Sequence, residues 1–107
     1  MTQEERIRQM ELLMDRASAA VMSLSAALDQ YAEAQEAIAM LSSYYGSRQW
    51  KQDFADDEAG RLPAELKRGV LSEDGIWNLL ADNRDLIERI IRLSESHNAC
   101  INGRARE

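Results

Sequence analysis

The chain has one cysteine, one proline, one histidine and five glycines in 107 residues. A lone Cys100 excludes an intrachain disulfide and points to a reducing compartment. One Pro and five Gly leave little material for the many turns of a β-rich fold. Unbroken apolar runs are only a few residues long, far short of the roughly 20 that a membrane-spanning helix needs. Basic residues are also scarce: 13 Lys and Arg against 19 Asp and Glu give a net charge of −6. That balance argues against nucleic acid and against an anionic membrane as partners, since both require a basic surface. The start, Met1-Thr2-Gln3-Glu4-Glu5-Arg6, lacks the basic stretch and apolar run of a signal peptide. The expectation is a cytoplasmic protein with one domain and one modest core.

What is abundant is Ala, Leu, Glu, Gln, Arg and Met, the good helix formers. Hydrophobic residues make up 45% and charged residues 30%, a globular rather than a disordered balance. Thr2 with Glu5 forms a capping box, from which an apolar seam runs with alternating spacings of three and four. The seam is Ile7, Met10, Met14, Ala17, Val21, Leu24, Leu28, Tyr31 and Ile38, with Gln35 its one polar intrusion. Leu13, Ala20, Ala27, Ala34 and Leu41 widen it into a core-facing stripe. The spacing predicts a helix over 2–45, about 65 Å long if it does not break near Ser23-Leu24-Ser25. Ala and Ser between Ala17 and Ala27 would allow a neighbouring helix to approach closely.

Gly46 fits a left-handed stop, and Ser47 an N-cap. Trp50 and Phe54 then share a face of a short helix ending near Gly60. Pro63 is placed at the first helical position of a second short helix, with Lys67 and Arg68 at its end and Gly69 as its stop. Ser72 is expected to cap a last long helix over 72–96, with Glu73 and Asp74 in its first turn. Its stripe runs from Ile76 through Leu79, Leu80, Leu86, Ile87, Ile90 and Ile91 to Leu93, interrupted at Asn83. Residues 97–107, with His97 and Cys100, read as a flexible tail.

The fold class is therefore all-α. Two long antiparallel helices, hairpin- or bundle-like, are bridged at 47–71 by a compact segment with one or two short helices, in a single domain over 1–96. The first stripe is much longer than the last. The bridge, a fold-back of the first helix, or a second copy in a homodimer would cover the surplus.

The middle of the chain holds the densest specific pattern. It runs through Tyr44-Tyr45-Gly46-Ser47, Trp50, Asp53, Asp57, Gly60 and Leu62-Pro63, then Leu66-Lys67-Arg68-Gly69-Val70-Leu71-Ser72-Glu73-Asp74, with Leu79-Leu80 after it. This string resembles the signature of a bacterial family of small proteins, the domain-of-unknown-function family 4298, over about residues 4–92. Members often carry Tyr where this chain has Trp77 and an acid where it has Asn78. The resemblance implies a small helical cytoplasmic protein and contributes no catalytic residue.

Charge is balanced only in this segment. Residues 46–71 hold five basic and five acidic residues, against three and seven before them and five and seven after. Two readings of its aromatic and charged residues compete. In the first they are a small core and its ion pairs beneath the connection between the long helices. In the second they are an interaction surface for a protein partner or for a second copy, since Trp, Tyr and Arg are the usual hot spots. The residues concerned are Tyr44, Tyr45, Arg48, Trp50, Lys51, Asp53, Asp57, Lys67, Arg68 and Trp77. The rival from another class is a ligand site, a divalent-metal site or an enzyme at Asp53, Asp56 and Asp57 facing Lys67 and Arg68. The spacing there departs from a calcium loop, and an anion at Ser72 would meet Glu73 and Asp74. His97 and Cys100 lack the further ligands that zinc requires. No catalytic, cofactor or metal signature stands out. The expected function is a non-catalytic interaction or self-associating module using 44–77.

Overall fold

The structure, a computed structural model, describes residues 1–105, with side chains through residue 102. All the regular structure in the described residues is helical. The long α1 spans Gln3–Tyr44, and α2 spans Arg48–Glu58. A single 3-10 turn at Gly69–Leu71 follows, then α3 over Gly75–Ala105. The all-α class expected from composition holds. The chain divides into two units, Met1–Ala37 and the remainder from Ile38.

The first unit is one stretch of helix. Glu5 N donates to Thr2 Oγ1 at 3.2 Å and Thr2 N donates to Glu5 Oε2 at 3.4 Å, so the capping box is formed. No Gly or Pro follows until Gly46, and α1 passes through Ser23-Leu24-Ser25 without a break.

In the second unit the last turns of α1 end at Gly46, whose φ of +77° is the left-handed conformation that glycine tolerates best. Ser47 then caps α2, its hydroxyl accepting from Trp50 N at 3.1 Å. Gly60, also left-handed, closes α2 with a paired Schellman stop. In it Gly60 N donates to the Asp57 carbonyl and Arg61 N to that of Asp56.

Four boundaries differ from expectation. Pro63 starts no helix; residues 63–66 form one turn, with Leu66 N donating to Pro63 O at 3.2 Å. The Arg68 guanidinium donates to the carbonyls of Pro63 and Leu66 and fastens this turn. Gly69 opens the 3-10 turn instead of stopping a helix. The last helix begins at Gly75, three residues later than Ser72. Glu73 and Asp74 therefore precede its first turn, the Asp74 carbonyl accepting from Asn78 N at 2.8 Å. Finally, α3 continues past Ser96 to Ala105 where a tail from residue 97 was expected. Residues 97–102 contain neither Gly nor Pro to end it; residues 106–107 lie outside the described residues.

The core of the second unit is small. Among the described residues only Leu71 (6% exposed) and Ile76 (2% exposed) are buried, where the 3-10 turn packs against both α2 and α3.

Candidate interaction surface

The segment from Tyr44 to Gly75 is tied together by four sets of contacts, each linking residues that α1, α2 or the 3-10 turn hold in place. At the α1–α2 corner the Tyr44 hydroxyl donates to Asp53 Oδ2 at 2.6 Å. This hydrogen bond, with burial and the adjacent carboxylate charge, pushes the Tyr44 hydroxyl up to about 12.

Beside it, three rings pack in series. Tyr45 meets Trp50 edge to face with centroids 5.1 Å apart, and Trp50 stacks on Phe54 at 5.3 Å. Pairs at such separations contribute about 0.5–1.5 kcal/mol each beyond their buried area. The Trp50 indole Nε1 then donates to the Val70 carbonyl at 2.9 Å, fastening α2 to the 3-10 turn. Trp50 sits at the third position of α2 because Ser47 fixes where that helix begins.

Arg68 makes the third tie. Its guanidinium pairs with Asp57 on α2 and also donates to Pro63 O, while its Nε donates to Leu66 O at 3.3 Å. The planar fork suits three separate acceptors, which a lysine ammonium would not meet in one geometry. Both side chains are largely covered, 32% exposed for Arg68 and 22% for Asp57.

The fourth tie is a close approach. Ser72 Oγ donates to Gly69 O at 2.8 Å and accepts from Gly75 N at 3.0 Å. A β-carbon at Gly75 would lie 2.3 Å from Gly69 O and 2.6 Å from Ser72 Oγ, so only glycine fits. Sequence reading did not single out Gly75. The available signal was a glycine placed within the start of a helix, where other residues are better formers.

The remaining residues flagged from sequence lie apart from these ties. Arg48, Lys51, Lys67 and Trp77 are exposed, Trp77 at 58%. Asp56 is engaged by Arg61 at 3.1 Å and by Gln52 at 3.1 Å. The three aspartates thus go to three partners, Tyr44, Arg61 and Arg68, and of the expected basic pair only Arg68 meets one of them, Asp57. No group of three metal-ligating side chains converges among the described residues.

Lys67 instead borders an open groove of about 400 Å³, lined also by Leu41, Gly69, Val70, Gly75, Ile76 and Leu79. The lining is apolar apart from this one ammonium group. Val70, whose carbonyl holds Trp50, leaves its side chain exposed on the groove.

Residues 7–93 match the family model described as Domain of unknown function (DUF4298). No curated protein matches the chain, and neither does any solved structure. No described helix is long and apolar enough to cross a membrane.

Proposed function

This chain belongs to the family described as a domain of unknown function (DUF4298), and from its surface we propose a non-catalytic protein-interaction module that works through residues 44–77. The observation that carries this reading is the division of labour within the segment. Tyr44, Tyr45, Trp50, Asp53, Asp57 and Arg68 spend their polar groups or ring faces on one another. What they hold in place is an apolar groove with Lys67 at its border, and Trp77 and Val70 are left exposed. Large aromatic and aliphatic side chains presented by a rigid scaffold are the usual anchors of a protein interface. The charge of the groove selects its occupant. A segment with an apolar side chain flanked by a carboxylate would fill the groove and meet Lys67, which has no ion pair among the described residues.

Photo-crosslinking in the native cells tests this. A photoreactive residue at Val70 or Trp77 should give one shared adduct, absent when the probe replaces Gln49 on the exposed face of α2. In the Val70-probe chain, Trp77→Ala should abolish that adduct while leaving the melting temperature within a few degrees. Adducts that are the same from all three positions, or none from Val70 and Trp77, would count against the reading.

A further inference from the structure

The groove beside Lys67 has two sides built from different parts of the chain. Lys67, Gly69 and Val70, at the 3-10 turn and just before it, form one side. Gly75, Ile76 and Leu79, at the start of α3, form the other. Its lining includes no residue of α2. Taking the groove as the site proposed above, we infer that α2 nonetheless sets its width through Trp50 and Asp57. A partner in the groove and these two ties then strengthen one another.

The first support is that the groove's turn side is fastened from outside the groove. Val70 lines it with its side chain, while its carbonyl accepts from Trp50 Nε1 at 2.9 Å. Arg68 stands in sequence between the lining residues Lys67 and Gly69, and its guanidinium pairs with Asp57 of α2. Both ties therefore act on the backbone that carries the groove's own side chains.

The second is how little else places that backbone. The 3-10 turn is three residues long. Its backbone bonds run from Leu71 N to Arg68 O at 3.0 Å and from Ser72 N to Gly69 O at 3.2 Å. These two bonds shape the turn without positioning it against α2.

The third is the closeness of the far side. Gly69 O leaves no room for a β-carbon at Gly75, and the turn packs against α3 as well as α2. A displaced turn therefore changes the spacing to Gly75 and Ile76, because close-packed atoms transmit a shift. A partner that fits the tied groove binds it better than an untied one. By linkage, the ties raise its affinity and it stabilises the ties by the same factor.

Methyl NMR of the full chain reads the groove with no partner present. Asp57→Ala should shift the methyl signals of Leu41, Val70, Ile76 and Leu79. Asp56→Ala, one residue away but engaged by Arg61 and Gln52, should leave them in place. In the Val70-probe chain, Asp57→Ala and Trp50→Phe should each lower the crosslinked adduct at least ~3-fold, following the smaller tied population. Circular dichroism should show both variants still folded, and Asp56→Ala should leave the adduct unchanged. Methyl signals that Asp57→Ala does not move, or that Asp56→Ala moves equally, would overturn the inference. So would an adduct yield indifferent to both Asp57→Ala and Trp50→Phe. If the Val70-probe chain captures nothing, the proposed function falls, and the methyl signals still decide whether α2 sets the groove.

Discussion

The indole Nε1 of Trp50 donates to the backbone carbonyl of Val70 at 2.9 Å across 20 residues of sequence. Through this bond the aromatic series on α2 holds the 3-10 turn that supplies the core residue Leu71. The signature residues of the segment act as a latch, and the surface they leave free is the one proposed above as an interaction surface.

Trp50→Phe keeps a stacking ring but loses the donor, and should cost about 1 kcal/mol in urea unfolding. Trp50→Ala loses both rings' contacts as well. With the side chain partly exposed, its cost should be about 2–4 kcal/mol, at or below the range for fully buried aromatic truncations.

Arg68 and Asp57 should couple more strongly than surface charges do. A double-mutant cycle with Arg68→Ala and Asp57→Ala should give about 1–2 kcal/mol, because both groups are largely covered. The same cycle on Arg8 and Glu4, both largely exposed and one helical turn apart, should give at most about 0.5 kcal/mol. Arg68→Lys should be nearly as disruptive as Arg68→Ala, since it forfeits the Pro63 and Leu66 carbonyls.

Gly75→Ala should destabilise the protein although alanine is the better helix former by about 1 kcal/mol. The added methyl would overlap Gly69 O and Ser72 Oγ and force the 3-10 turn away from α3. Gly60→Ala has open space around it, so its cost, about 1–2 kcal/mol, would come from the left-handed backbone alone. Thermal unfolding of the two variants separates clash from strain.

These local contrasts also show what could be read from the chain beforehand. The Thr2–Glu5 box, the Gly46 stop, the Ser47 cap and the Gly60 stop were legible because each is set by residues within three or four positions. Ser72 accepts from Gly75 N as a cap would, although regular helix begins only at Gly75, whereas Pro63 and Gly69 take other roles than expected. The Arg68 guanidinium fastens the turn after Pro63 through the Pro63 and Leu66 carbonyls, and the Gly69 carbonyl accepts from Ser72 and lies close against Gly75. Of the candidate site, the contact of the acidic cluster with Arg68 was anticipated. Which aspartate takes which partner was not, since α2 must first be capped at Ser47 to set its rotation. Trp50 and Trp77 looked alike in sequence. The structure separates them, engaging the first and exposing the second.

Tyr44 supplies a pH dependence. Its hydroxyl is raised to about 12 by the hydrogen bond to Asp53, above the value near 10 of an unfolded chain. The neutral form is therefore favoured by folding. Its stabilisation is complete below pH 10 and is lost as pH rises through about 12. In an ultraviolet titration one of the three tyrosines should ionise about two units late. Tyr44→Phe should remove that late step and flatten stability between pH 10 and 12.

The most direct measurement of the latch is hydrogen exchange of the two indole N–H groups by NMR. The account predicts a Trp50 indole proton protected by Val70 and a Trp77 indole proton that exchanges at the rate of free solvent. Equal, fast exchange at both, or protection at Trp77 alone, would contradict it.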